Sequence, residues 1–257
     1  RRAFYGCSSL TEIVIPTNVT YIGVRTFDEC YSLDTINVDD GNENYASKDG
    51  VLYTKDFTSI IRCPQKKGGA FTCPSSVTSI GDHAFYECSS LSMLIFEGDA
   101  PNCQVGWAAK SNPNLKVYFI DGSNGFTTPT WQGFSAIGVI SPGMPADADA
   151  TAGLGSAHIS WSAPSNDGNA PFLSYEIWYG TSDVSSDWIL FGEVDTNAVT
   201  ITELEIGTTF YFGVKAVNIA GVSDLCVTSP VVPCTIPGVP QISVVAGDGS
   251  VTLSWSD

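Results

Sequence analysis

The chain is short of cations, of histidine and of methionine. Lys and Arg number 11 against 27 Asp and Glu in 257 residues, a formal net charge of −16. A nucleic-acid binder needs a field of the opposite sign, so that class is excluded. The two histidines, His83 and His158, leave a His-based zinc site or paired-His catalysis without its parts. Eight cysteines contain no C-x-x-C pair, which argues against a zinc site. No G-x-S-x-G elbow is present, and GLG at 153–155 is too short for a phosphate loop. No apolar run approaches the roughly 18 residues of a membrane span. No catalytic residue, metal ligand or cofactor site is therefore assigned.

What is present is apolar and turn-rich. Hydrophobic residues make up 43%, with 25 Gly and 14 Pro, too apolar for a disordered tail and too punctuated for a helical bundle. Charge is unevenly divided. Residues 1–140 hold ten Lys/Arg and fourteen Asp/Glu, whereas 141–257 hold one cation, Lys215, and thirteen acids. A composition change of this size marks a domain boundary, and SPGMPADADATAGLGS (141–156) begins there as a linker. RRAFYGC at the start is neither a secretion signal nor a helix cap, and VTLSWSD at the end stops inside a strand pattern, so the chain reads as an excerpt.

The first half repeats itself. AFYGCSSL (3–10), TFDECYSL (26–33) and AFYECSSL (84–91) share one pattern; Cys7 and Cys30 lie 23 residues apart, and Cys30 and Cys88 lie 58 apart. The excess is an insertion of about 35 residues over 39–72, after which CPSSVTSIG (73–81) matches IPTNVTYIG (15–23). A 23-residue period predicts a solenoid whose rungs share one core. Leu10, Ile13 and Ile15 point inward with Val19 and Ile22, and their equivalents are Leu33, Ile36 and Val38, then Leu91, Leu94 and Phe96. Phe4, Phe27 and Phe85 are expected to form an aromatic ladder, and Cys7, Cys30 and Cys88 to stack as small buried hydrophobes. Cys63 and Cys73 flank the end of the insertion, where a hairpin would bring them together. His83 is expected on the surface. DDGNENYASKDG (39–50) is a solvated turn or a weak calcium loop, and Asn18-Val19-Thr20 is a glycosylation sequon.

The pattern AFxxCxSLxxIxIPxxVTxIG resembles the BspA-like (treponemal-type) leucine-rich repeats. The resemblance implies a hairpin island at 38–64, a closing cap at 97–140 and one repeat domain over 1–140. It implies a secreted or surface-displayed interaction protein of microbial type, without catalytic activity.

The second half alternates. Tyr175, Ile177 and Tyr179 face one way and Glu176 and Trp178 the other; Phe210, Phe212, Val214 and Ala216 oppose Tyr211, Gly213 and Lys215. Short strands with turns every 8–12 residues predict a sandwich. Trp161, Tyr175, Leu204, Gly207, Val214, Ala216, Asn218 and AGVS (220–223) make 141–236 resemble a fibronectin type III domain. One departure is that Phe210 stands where the family has the corner tyrosine. GVPQISVVAGDGSVTLSWSD (238–257) opens a second such domain, incomplete within 237–257, with Trp255 matching Trp161. Cys226 and Cys234 could pair only across a chain reversal.

The expected fold is mainly β: a leucine-rich-repeat solenoid with a hairpin island, then an immunoglobulin-like β-sandwich and a truncated second one. Two surfaces are candidates for binding. The outward positions of the repeat sheet are Glu12 and Val14, Thr35 and Asn37, Met93 and Ile95. Trp178 and Tyr211 point off the sandwich core, where an aromatic pair would stack a sugar ring or a peptide. The expected role is an extracellular or cell-surface adhesion module with a protein or glycan ligand from a host or cell surface. The alternative is an accessory arm of a secreted microbial hydrolase.

Overall fold

The computed structural model describes residues 2–234 and 241–256, and their regular structure is β apart from one 3-10 turn, Ser185–Asp187. The chain divides into two compact units, one of residues 1–141 with the short segments 168–171 and 219–221, the other of the remainder.

In the first unit, β1 (Glu12–Ile15) and β2 (Thr35–Val38) pair parallel, with Glu12 opposite Thr35 and Val14 opposite Asn37. β3 (Tyr45–Lys48) and β4 (Val51–Thr54) form the hairpin of the island. Its two-residue turn puts Asp49 at φ 52° and Gly50 at φ 77°. Only a type I′ turn needs both residues left-handed, and Asp-Gly meets that demand cheaply. β5 (Ser59–Arg62) continues this sheet and is followed there, in parallel, by β7 (Ser79–Ile80) and β9 (Asn102–Cys103). The opposite wall holds β6 (Gly69–Cys73), β8 (Leu91–Phe96), β10 (Lys116–Ile120) and β12 (Phe134–Val139), all parallel, with β11 (Thr130–Trp131) antiparallel at its edge. Residues 69–72, expected to end the insertion, therefore already belong to a rung strand. The expected cap adds two further rungs to the same wall.

The repeat period sets what is buried. Phe71, Leu94, Val117 and Ala136 stand in register and point inward, each under 5% exposed. The core of this unit falls into two large clusters and a small third one of Ile95, Tyr118 and Val139. One large cluster holds Ile15, Phe27, Cys30, Leu33, Ile36, Tyr45 and Leu52, and the other runs from Val51 to Ala136 around Phe85, Phe96 and Trp107. The expected ladder is split accordingly. Phe4 stacks on Phe27 at 5.7 Å and 10°, while Phe85 packs against Phe71 and Trp107.

The acidic turn at 39–45 is organised by an amide. Asn42 is fully buried; its Nδ2 donates to the carbonyls of Pro16 (2.8 Å) and Val19 (3.0 Å), and its Oδ1 accepts from the Asn44 and Tyr45 N–H groups. This fastens the island's entry to the first repeat. Among the described residues no group of three His, Cys, Asp or Glu is arranged to hold a metal ion.

All eight cysteines are free thiols. Cys30 and Cys88 are fully buried, but Cys7 is exposed, because no rung covers its outer side among the described residues. Cys63 lies against Cys88, whose Sγ approaches the Cys63 carbonyl at 3.8 Å, rather than beside Cys73. Burial pushes the thiols of Cys63 and Cys73 up and that of Cys103 to about 12. Since the thiolate is the reactive form, pulse alkylation of the native chain at neutral pH should label Cys7 and Cys234 first. Cys30, Cys63, Cys73 and Cys88 should react at least about a hundredfold more slowly, through unfolding alone. Peptide mass spectrometry reads the order.

The second unit is a sandwich. One sheet is β13 (Ala146–Gly153), β14 (Ser156–Ser162) and β17 (Ala198–Ile201). The other contains β15 (Ser174–Gly180), β16 (Ile189–Val194) and β18 (Tyr211–Asn218), with the two-residue strands β19 (Gly221–Val222) and β20 (Cys226–Val227) also pairing with β18. The expected linker thus contains a strand. In ADADATAG, Ala148 and Ala150 pack on the core and Asp147 and Asp149 face out, a period of two written with small side chains. Trp161 and Tyr175 meet at 5.2 Å in an edge-to-face contact, above Ile177, Phe212 and Val214. Phe210 is buried where the corner tyrosine was missing, and its N–H and carbonyl both bond Val231, at 2.8 and 2.9 Å. The backbone closes the corner that a hydroxyl would otherwise tie.

β21 (Gln241–Gly247) and β22 (Ser250–Ser256) form a two-stranded hairpin with Val244, Val245, Val251 and Leu253 exposed. The expected boundary at 236/237 and the side chain of Trp255 lie outside the described residues.

Candidate binding surfaces

The repeat sheet brings four of the six expected positions together. Glu12, Val14 and Asn37 are exposed and Thr35 is half-buried, all on β1 and β2. Met93 sits in the other wall, between Ala70 and Lys116, and is half-buried. Ile95 is a correction: it is 2% exposed. Its wall continues in register to Tyr118 and Ile137, and Ile95 clusters with Tyr118 and Val139. Periodicity placed Ile95 outward from the rung core, but Ala170, Ile219 and Ala220, from the short later segments of this unit, pack on that side together with the neighbouring rungs.

On the sandwich, Trp178 and Tyr211 are half-buried on the outer face of their sheet. Strand pairing sets Trp178 opposite Gly213 and Tyr211 opposite Gly180. Trp188, which sequence reasoning missed, fills the space over both glycines. A Cβ on Gly180 would lie 2.6 Å from its ring and one on Gly213 2.8 Å from it. Trp188 is 6% exposed, stacks on Tyr211 at 6.4 Å and donates its Nε1–H to the Ser182 carbonyl at 2.8 Å. The Lys215 ammonium lies 5.4 Å from the Trp178 ring centroid, and the Trp178 Nε1–H donates to Glu176. A sugar stacking on Trp178 would have to displace Lys215 first. The legible signal for Trp188 is a pair of strand glycines, Gly213 inside β18 and Gly180 at the end of β15, with a tryptophan close by in sequence.

A third feature was read as surface in the sequence and is not. His83 is 9% exposed and its Nδ1 lies 2.8 Å from Asp28, which is itself 2% exposed. Arg62, 4% exposed, reaches the other Asp28 oxygen at 3.1 Å and donates to the carbonyls of Phe27 and Tyr86, both at 3.3 Å, and of His83. Gln65 also donates to the Tyr86 carbonyl and to Glu87. Tyr86 stacks on the His83 ring at 4.4 Å.

The position of this cluster in the repeat explains it. Loops of adjacent rungs normally stack by backbone bonds, Phe4 N–H to Thr26 and Gly6 N–H to Asp28, then Phe85 N–H to Trp107 and Glu87 N–H to Ala109. Left-handed residues recur in step, Arg2, Arg25, His83 and Gly106 at one loop position and Gly6, Glu29, Glu87 and Lys110 at the other. Between the second loop and that of His83, the island supplies only a short segment, which bonds forward through Cys63 N–H to Ala84 (2.7 Å) and back through Lys66 N–H to Leu33 (3.0 Å). Arg62 and Gln65 both place side-chain donors on the Tyr86 carbonyl, which a full loop would have satisfied. Asp28 neutralises the guanidinium so introduced, and His83 takes the second carboxylate oxygen.

Comparison with known proteins finds two kinds of module. A BspA type leucine-rich repeat region, in six copies, covers residues 1–60 and 65–116. The four residues left out include Arg62 and Cys63. A fibronectin type III domain covers 145–230. The chain is 34% identical over 101 residues to the M-protein of striated muscle from Gallus gallus, an overlap of 38% of this chain and 7% of that protein. The chain thus spans a small fraction of that relative. Among solved structures it is similar to pneumococcal vaccine antigen PcpA (19% identity, 50% of this chain and 43% of that one, TM-score 0.37). It is also similar to FN3tt (22% identity, 36% of this chain and 95% of that one, TM-score 0.30). Both matched modules are noncatalytic ones that commonly serve protein interaction or spacing. The protein thus joins BspA type leucine-rich repeats over residues 1–60 and 65–116 to a fibronectin type III domain over residues 145–230.

Proposed function

We propose that this chain is a noncatalytic adhesion module, secreted or displayed on a cell surface, in which the repeats recognise a protein or glycan and the sandwich spaces them. One observation carries the reading: Glu12, Val14, Thr35 and Asn37 stand in register on two parallel strands whose other side is anchored in a packed core. Such a face is rigid before a ligand arrives, so binding costs little ordering entropy. Val14, 52% exposed among polar neighbours, is its apolar centre. The acidic surface keeps copies apart and favours partners with cationic or neutral surfaces. No helix among the described residues is long and apolar enough to cross a membrane.

The test is an array of glycans and extracellular proteins probed with the full chain, then with Val14→Asp, Met93→Asp and Trp178→Ala. Val14→Asp should weaken the best ligand at least about tenfold without lowering the melting temperature, because the position is exposed in the free chain and covered only in the complex. Trp178→Ala should leave affinity unchanged. Loss confined to Trp178→Ala would move recognition to the sandwich and overturn this reading.

A further inference from the structure

We propose that the gap left by the shortened island loop is a binding site for a carboxylate borne on a small aliphatic body, of the kind a peptide C-terminus presents. The cleft has a volume of about 150 Å³ and lies between the second repeat loop and the loop of His83. Val24, Arg25, Phe27, Asp28, Arg62, Asp82 and His83 are among the residues that line it. It exists because a rung's worth of loop is missing there, so groups that would have faced that rung face the cleft instead.

Several of those groups are donors, and the two lining carboxylates, Asp28 and Asp82, already face Arg62 and His83. In the first repeat the Phe4 N–H donates to the next rung, but among the described residues the equivalent Phe27 N–H has no backbone acceptor. Arg62 uses both terminal nitrogens on Asp28 and on main-chain carbonyls, while its buried Nε–H has no partner. Arg25 is exposed, held at φ 62° beside the cleft, and has no hydrogen-bonded or ion-paired partner among the described residues. A main-chain N–H, a guanidinium N–H and a free guanidinium around one small space call for an anionic acceptor, since an unmet buried donor is costly and a charged acceptor makes the strongest bond to it. Capture of a terminal carboxylate by backbone N–H groups is a recurrent mode of peptide recognition. The walls choose the body of the ligand. Ile22, Val24, Phe27 and Ile61 offer aliphatic and aromatic surface, which suits an alkyl side chain and leaves a sugar's hydroxyls without partners.

The site is separate from the β1–β2 face, so its test is independent of the proposed adhesion role. The full ¹⁵N-labelled chain is titrated with N-acetyl-Ala-Val, with the same dipeptide as its C-terminal amide, and with glucuronate. The acid should shift the Phe27 amide and the Arg62 Nε–H resonance saturably, and the amide should bind at least about tenfold more weakly. Arg25→Ala should weaken the acid by about the same factor, and Val24→Trp, filling the mouth from an exposed position, should abolish the shifts. Both changes are at exposed residues, and an unchanged melting temperature shows that the fold is retained. Equal binding of acid and amide, or no saturable shift with any probe, overturns the proposal. Glucuronate binding as tightly as the dipeptide acid overturns the choice of an aliphatic ligand.

Discussion

Arg62→Met lowers the stability of the repeat unit by about 3–5 kcal/mol, the range for removing one partner of a buried ion pair. For a unit of this size that is a fall of about 10 °C in melting temperature. The cost has two sources. Asp28 is 2% exposed and keeps a charge with only His83 against it, and the carbonyls of Phe27, His83 and Tyr86 lose a shared donor. The two large core clusters of the unit, one containing Phe27 and the other Phe85, flank this cluster. Losing Arg62 therefore weakens the splice between them as well as the pair itself. A double variant, Arg62→Met with Asp28→Leu, separates the sources. Removing both charges abolishes the penalty of the lone carboxylate, so the double variant recovers about 2 kcal/mol over the single one. Among the described residues the Phe27 carbonyl is left without a donor, while those of His83 and Tyr86 keep only the Tyr86 N–H and Gln65, and this holds it below wild type. Calorimetry of the full chain reads both, with the sandwich transition as the internal control. An Arg62→Met transition within about 2 °C of wild type would show that the cluster is a bystander.

The repeat core was legible because its residues answer to their own neighbours. Leu33 and Ile36 follow Cys30 at fixed offsets, all three are fully buried, and the 23-residue period alone says so. The sandwich core was legible for the same reason, with Tyr175 and Ile177 alternating against Glu176 and Trp178 on β15. What escaped depends on partners far away in the chain. Arg62 in IIRCP reads as a polar break, and only Asp28, 34 residues earlier, and His83, 21 later, make it a buried one. His83 follows Asp82 and looks solvated until Asp28 is set against it. β13 escaped because alternating Ala and Asp has little β propensity and little area to bury, so tertiary pairing with β14 decides it. The binding face was half legible. Outward direction can be read from a strand's period, but whether a neighbour covers the outward residue cannot, and Ile95 under Tyr118 is the case.

Trp188→Ala destabilises the sandwich by about 3–5 kcal/mol although the residue is outside the main core. Its indole is 6% exposed, lies on the bare backbone of Gly180 and Gly213, and is closed over by Tyr211 and Leu225. Removal opens a cavity that β15 and β18 cannot collapse to fill, because both strands are pinned by the core on their other face, and it leaves the Ser182 carbonyl without its donor. The reciprocal change gives the same answer from the other side. In Gly213→Val the new Cβ would lie 2.7 Å from Leu225 and 2.8 Å from Trp188, and the ring must lift off the sheet. Overpacking of this kind costs about 1–3 kcal/mol. The two effects are not additive. In a chain already lacking the indole, the Leu225 side chain has vacated space to move into and Gly213→Val fills part of the cavity, so the double variant lies above Trp188→Ala by about 1 kcal/mol. Additive losses in denaturant titrations of the four chains would mean that the ring does not rest on these glycines. The same variants bear on Trp178. Its ring keeps Lys215 over it whether or not Trp188 is present, so its fluorescence should respond to Lys215→Met in both backgrounds.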